Sequence, residues 1–417
     1  MDGQEHRTLE EKDIQCLGHL QKVFDLLDEL EPVGCGRDRA HNRELHFNGY
    51  CKLVLLYIWN PLIDSIRTLQ EAVSLETVAR ATGIKRFSLG SFSESVRVFE
   101  PELLKPIMKE LAGKLSGPGI DPRLAEVKHA ITLVDGTVLS GLTRLVRSAC
   151  GIEGRYNTSR DGRAVYGWRL HTQLDLKTFS VHRIDRTGAG SGGKNRESRV
   201  LAGSLEPGRC YVGDGAYGDQ KLFDEVIDAA SSFVFRIRED SVLKNVLEER
   251  LLSQEALDSQ IVRDAVVQLP GATHPVRIVT VQVAPHPRRV RAGMVQSELV
   301  VLATSLLDLP PELVALIYLY RYSVELFFRI LKQLLGMRHL LSQREEGIDI
   351  QVSCTVIVCL LICLITGKAP NKSNRNMIGW FLIGLASQKE LLAHLNRPDN
   401  TGVKKRAKDE LWKKLGY

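Results

Sequence analysis

Between Ile350 and Thr366 the chain reads IQVSCTVIVCLLICLIT, seventeen residues without a charge. Such a stretch has to be covered, because each large apolar side chain left in water forgoes about 1.5–3 kcal/mol of burial. Seventeen residues is at the short limit for a helix that spans a bilayer, and Gln351, Ser353 and three cysteines dilute this one. We therefore expect a helix buried in protein, and no membrane partner. A helix apolar on every side needs other apolar helices around it. From residue 8 to about 115 the sequence offers them, in CLGHLQKVFDLLDEL and YCKLVLLYIWNPLIDSIRTL, with apolar residues at three- and four-residue steps. The 417 residues are 44% hydrophobic and 25% charged, enough for a sizeable core and two or three domains.

After the break SGPGIDP the texture changes. AITLVDGTVL, YGWRLHTQLDL and FSVHRIDR are short runs bounded by polar or Gly-rich turns, and they read as three consecutive strands. CYVGDGAYGD is a strand entering a loop, QKLFDEVIDAA a helix and SSFVFRIRED a further strand. Three antiparallel strands followed by strand, helix and strand is the order of an RNase H-like core. SQIVRDAVVQL, HPVRIVTVQVA and SELVVLATSL then form a β-rich insertion, and Pro311–Leu341 carries the pattern of one long helix. The expected fold is α/β (α+β): a helical N-terminal domain over 1–118, core segments over 119–240 and 309–395, the insertion over 241–308 and a basic tail over 396–417. Within the first domain, residues 75–99 have the spacing of a helix-turn-helix, with Ala79 and Gly83 four apart. Two packed helices joined by a Gly turn fit the same spacing. No internal repeat is visible.

The net charge is +6 and the pI near 8.8, which suits a polyanionic partner without requiring one. Eight cysteines lack C-x-x-C pairing and read as reduced thiols of a cytoplasmic protein, not as a zinc site. The acidic, polar N-terminus has no basic-then-apolar order, so export is not expected.

Three acids stand in unusual company. Asp135 follows AITLV and precedes Gly136, and Asp214 follows YVG and precedes Gly215. An acid at the end of an apolar strand is costly without a partner, although Asp-Gly is also a common turn dipeptide. Glu325 sits between Val324 and Leu326-Phe327-Phe328. At 100° per residue it shares a helix face with Tyr318, Arg321 and Lys332, which lie seven before, four before and seven after it. A surface helix with an Arg321–Glu325 ion pair is the plain alternative. Carboxylates from separate elements that converge on one point are what hard divalent cations require.

The segment YLYRYSVELFFRILK fits Tyr-x2-Arg-x3-Glu-x6-Lys and resembles the signature of the insertion-sequence-four family of bacterial DDE transposases. VDGTVL and GDGAYGD resemble that family's first and second aspartate motifs, in the expected order, with the β-rich insertion following the second. The resemblance covers roughly residues 120–395. It implies an RNase H-like transposase in which Asp135, Asp214 and Glu325 hold two Mg²⁺ ions, with Mn²⁺ able to substitute. It makes Tyr318, Arg321 and Lys332 contacts for phosphates near the transposon end, and Tyr217, at an aromatic position of the second motif, a further contact for DNA. The partners it implies are DNA, as terminal inverted repeats and target, and a second copy in a homodimer on paired ends. Many relatives have Trp directly after the signature Arg, where this chain has Tyr322, still an aromatic beside the DNA contacts. Some relatives stack an insertion Trp on a flipped base, whereas Trp59, Trp168, Trp380 and Trp412 all lie outside the insertion. Arg288, Arg289 and Arg291, in HPRRVRAGM, are further candidates for guiding DNA.

The expected activity is Mg²⁺-dependent cleavage at the element's ends and joining of the freed 3′-hydroxyl to target DNA. Two other readings stay open on the residues alone: a catalytically inactive DNA-binding regulator, and an RNase H-like nuclease that cuts without joining.

Overall fold

The computed structural model describes residues 16–38, 43–60, 62–115, 121–140, 167–188, 193, 196–238, 245–283, 298–334, 340–342, 344–366, 372–382 and 385–397. They fall into two compact units. One combines the chain up to Pro118 with Phe327–Arg397, and the other is Gly119–Leu326. The helices beyond Leu326 thus group with the N-terminal helices, whereas the sequence pattern had put 309–395 with the sheet.

The helical unit begins with α1 (Cys16–Glu29), α2 (Phe47–Trp59), α3 (Ile66–Val73), α4 (Glu76–Thr82), α5 (Leu89–Ser95) and α6 (Lys105–Gly113). Eleven of the thirteen residues of α2 are buried, so this helix has no solvent face. Even Lys52 is inside, its ammonium 2.7 Å from Asp28 Oδ1 and 5.5 Å from the centre of the Phe24 ring. Phe47, Tyr50, Phe92 and Phe99 pack ring against ring around it. The apolar run lies in a helix spanning Glu345–Thr366, which packs on α2 and α6. By length and composition this helix could cross a membrane, and 83% of its most apolar window is buried inside the protein. The 75–99 region is helix, turn and helix: Gly83 ends α4 at φ 77 and Ser88 caps α5. Arg80 is paired with Glu76, and Lys85 and Arg86 are exposed.

In the second unit nine strands form one sheet: β1 (Ala130–Ser140), β2 (Gly167–Asp175), β3 (Ser180–Gly188), β4 (Arg209–Gly213), β5 (Ser232–Ile237), β6 (Asn245–Glu249), β7 (Ile261–Gln268), β8 (Val276–Val283) and β9 (Glu298–Thr304). Their order is β3-β2-β1-β4-β5-β9-β8-β7-β6. β1, β2 and β3 are antiparallel neighbours, and β4 and β5 run parallel to β1. From β5 onward every pairing is antiparallel. The β-rich segment is therefore a continuation of the core sheet through the β5–β9 pairing. Its strands alternate like the others, so nothing in their pattern distinguishes an added domain from an extended sheet.

Between the strands lie α7 (Glu197–Ala202) and α8 (Gln220–Asp228), and after β9 come α9 (Pro311–Leu319) and α10 (Tyr322–Leu334). Leu222, Phe223 and Val226 of α8 cover Tyr211, Phe233, Phe235, Ile278 and Ala303, with Phe223 stacked 4.6 Å from Phe233. This fills one face of the sheet. The long helix read over 311–341 is broken at Tyr320–Arg321. There the N–H groups of Tyr320, Arg321, Ser323 and Val324 each donate three residues back, the tightened pattern of a 3₁₀ turn. Tertiary contacts favour the break: the Tyr320 hydroxyl accepts from Asp121 N at 3.1 Å, and Arg321 pairs with Asp135.

Candidate active site at the ends of the parallel strands

Parallel pairing decides where the two aspartates meet. Leu133 is abreast of Val212, so continuing two places sets Asp135, within β1, beside Asp214, just past the end of β4. Gly213 is abreast of Phe235, so one further place sets Arg236 of β5 beside Asp214. Asp135, Asp214 and Arg236 thus form a row across three neighbouring strands. They share the sheet face opposite Phe233 and Phe235, since successive strand residues alternate faces.

The side chains follow from this placement. Gly136 N–H donates to Asp135 Oδ1 at 2.7 Å, and Asp214 accepts from Ala216 N at 2.9 Å, turning the chain after β4. Arg321, at the break between α9 and α10, lies 3.7 Å from Asp135 Oδ2 and donates to Glu325 in the first turn of α10. The Arg321–Glu325 pair of the plain alternative is therefore present, and the same guanidinium also faces Asp135. Burial, then the neighbouring Asp214 charge, pushes the Asp135 carboxyl up to about 7, while Arg321 and the Gly136 N–H oppose the rise. Burial works against the Arg321 cation, but Tyr318, Glu325 and Asp135 hold its pKa above the ordinary value.

A cleft of about 780 Å³ opens beside the aspartates, lined by Asp214, Arg236, Arg238, Glu298, Tyr318 and Arg321 among others. Arg236 bonds the Tyr318 phenol and lies 3.3 Å from Glu298, and Arg238 is exposed. A concave site lined by three arginines, a tyrosine hydroxyl and carboxylates suits a phosphodiester. Among the described residues no group of three or more His, Cys, Asp or Glu side chains is gathered closely enough to hold a metal ion.

The sequence candidates fare differently. Asp135, Asp214, Tyr318, Arg321 and Glu325 come together. Tyr322 and Lys332 are half-buried in α10, Lys332 in its last turn. Tyr217 is corrected: only 2% exposed, with its ring stacked on Phe235 at 5.7 Å, it is a core residue and not a surface contact for DNA. Arg288, Arg289 and Arg291 lie outside the described residues.

Arg236, Arg238 and Glu197 were not singled out from the sequence. The first had a signal, a cation inside the apolar run FVFRI. Glu197, in the charged run KNRESR, had none of its own. It is paired with Arg169, the two side chains 11% and 15% exposed. Burial raises its pKa, with Arg169 opposing and Asp214 adding to the rise.

A family model described as the transposase DDE domain matches residues 126–361, more than half of the chain. The chain belongs to this DDE transposase family. The matched span takes in the whole row of Asp135, Asp214 and Arg236, together with the Arg321–Glu325 pair. The chain is also 23% identical, over 257 residues, to a Sinorhizobium fredii (strain NGR234) protein named as a transposase, y4zB. The match takes in 61% of this chain and 66% of that relative, just under two thirds of its length. Against the piggyBac transposase, in a cryo-EM structure of its synaptic complex with hairpin DNA, the TM-score is 0.42 at 14% identity. That alignment covers 99% of this chain and 87% of the other.

Proposed function

We propose that this transposase cleaves DNA at the ends of a bacterial insertion sequence by phosphodiester hydrolysis and joins the freed 3′-hydroxyls to target DNA. The observation that carries the reading is the placement of Asp135, within β1, abreast of Asp214, just past the end of the parallel strand β4, with Arg321 linking Asp135 to Glu325. The strand order β3-β2-β1-β4-β5, with β1, β4 and β5 parallel, supports reading this part of the sheet as RNase H-like. The Tyr318, Arg321, Glu325 and Lys332 spacing supports the insertion-sequence-four subgroup.

The donor set fits Mg²⁺. Two carboxylates side by side offer hard oxygen ligands, and the burial and mutual repulsion that lift Asp135 are what a bound cation would relieve. We assign Asp135 and Asp214 as its first ligands and Glu325, which Arg321 engages apart from the two aspartates in this structure, as the third, with Mn²⁺ as a substitute. Two such ions, when bound, would supply Lewis acidity to the reacting phosphodiester. The chain's own part is to bind and orient the strand. Arg321 and Tyr318 line the cleft and match phosphate oxygens in charge and donor geometry. The place of Lys332 in the Tyr-x2-Arg-x3-Glu-x6-Lys spacing supports it as a further phosphate contact. DNA in the form of terminal repeats and target, a homodimer on paired ends, a cytoplasmic location and no membrane attachment complete the reading.

The test is cleavage and strand transfer on DNA that carries the element's own inverted repeats, with Mg²⁺ present. Asp135→Ala, Asp214→Ala and Glu325→Ala should each lower both steps by at least about 100-fold, the scale of losing several kcal/mol of charge stabilisation. Binding of the repeats should persist. Full-rate cleavage by any one of the three variants would refute its part in the site.

A further inference from the structure

Both aspartates have a glycine neighbour, and the structure gives those glycines a common cause. A Cβ on Gly136, the residue after Asp135, would lie 2.7 Å from Glu197 Oε1. A Cβ on Gly213, the residue before Asp214, would lie 2.5 Å from the Tyr217 ring. Glu197 and Tyr217 are joined to each other, the phenol donating to the carboxylate. Gly136 and Gly213 project on the sheet face away from the aspartates, because adjacent residues alternate. One hydrogen-bonded pair therefore lies directly behind both places in the sheet that carry the acids.

The pair is itself fixed. Arg169 of β2 is bound to Glu197 from the other side. α7, which begins at Glu197, is tied to the start of α8 through Arg199 to Asp219 at 3.2 Å and Ser198 to Asp219 at 3.3 Å. Tyr217 is held by stacking on Phe235. With its carboxylate engaged by Arg169 and Tyr217, Glu197 is occupied as a brace.

We infer that Glu197, acting through Tyr217 and against Gly136, is a positioning residue that sets the spacing of Asp135 and Asp214. The inference rests on the proposed role of that aspartate pair. A reacting group displaced by about 1 Å can lose on the order of 100-fold in rate, so a brace at this point governs turnover and leaves DNA affinity alone. Glu197 and Tyr217 act as one unit and should be non-additive.

The experiment measures single-turnover cleavage at saturating DNA, repeat-binding affinity and thermal melting for Glu197→Gln, Tyr217→Phe and the double variant of the full chain. Glu197→Gln should lower the cleavage rate at least about tenfold, with affinity unchanged. Tyr217→Phe, which removes only the hydroxyl, should lower it in the same direction, and the double variant should be no slower than Glu197→Gln. Wild-type rates in both single variants, additive losses, or losses confined to DNA affinity would overturn the inference. If Glu197→Gln does not fold, Tyr217→Phe decides alone: a slower rate at unchanged affinity upholds the brace, and a wild-type rate removes it. Asp135→Ala and Asp214→Ala run alongside as controls. Full activity in those two would remove the aspartate reading itself, an outcome separate from active Glu197 and Tyr217 variants beside inactive aspartate variants.

Discussion

Asp135 carries an electrostatic cost, and that cost has a sign. Its folded-state pKa is raised, from the ordinary carboxylate range to about 7, so the folded protein holds this proton more tightly than the unfolded chain. Stability from this group is fully present below about pH 4 and is lost as pH rises to about 7, above which the penalty is constant. Asp135→Asn cannot ionise and escapes the penalty. Without divalent cations, Asp135→Asn should melt a few degrees above the parent at pH 8 and level with it near pH 4. Equal melting temperatures at both pH values would show that Asp135 is not strained. At this scale the sequence was informative where a charge interrupted apolar surroundings, as at Asp135 and Glu325. It was silent where a residue acts by contact across the fold. Nothing in KNRESR marks Glu197, and Tyr217 looked like a surface aromatic because its motif, and not its packing, was legible.

Among the elements, the passage from β9 into α9 controls where Tyr318 and Arg321 stand, and one buried arginine holds it. Arg277 of β8 is 1% exposed. It forms a two-pronged pair with Asp264 of β7 at 2.7 Å on each prong, and donates to the carbonyls of Leu306, Leu307 and Leu309. Removing one partner of such a pair leaves a buried charge unmatched, which costs about 3–5 kcal/mol. Arg277→Met should lower the urea midpoint accordingly, and Arg277→Met with Asp264→Leu should recover much of the loss. A double variant as unstable as the single would locate the effect in the three carbonyls. The strands themselves were legible, because β periodicity is local. Their membership in one sheet was not, since the β5–β9 pairing joins residues about 65 positions apart and leaves no local trace. The break at Tyr320–Arg321 was hidden for the same reason. No Gly or Pro marks it, and the contacts to Asp121 and Asp135 that favour it come from distant sequence.

For the molecule as a whole, the seventeen-residue apolar run has consequences beyond its own burial. The helix that contains it packs on α2 and α6, whose sequences end more than two hundred residues earlier. Residues 1–118 were read as a domain because Gly and Pro follow them and the texture then changes. Their unit nevertheless includes Phe327–Arg397. α2, buried on nearly every side, has no covering for much of its surface if the late helices are missing. Burial of one such helix face involves several side chains at about 1.5–3 kcal/mol each, against a net stability of only about 5–15 kcal/mol for a domain. A fragment of residues 1–118 should therefore be helical by circular dichroism yet melt without a cooperative transition, and should bind a dye specific for exposed apolar surface. Co-expression with residues 327–397 should restore a sharp transition and abolish dye binding. Cooperative melting of 1–118 alone would mean that α2 finds its cover among the N-terminal helices, and that the apolar helix is an addition to a core already complete.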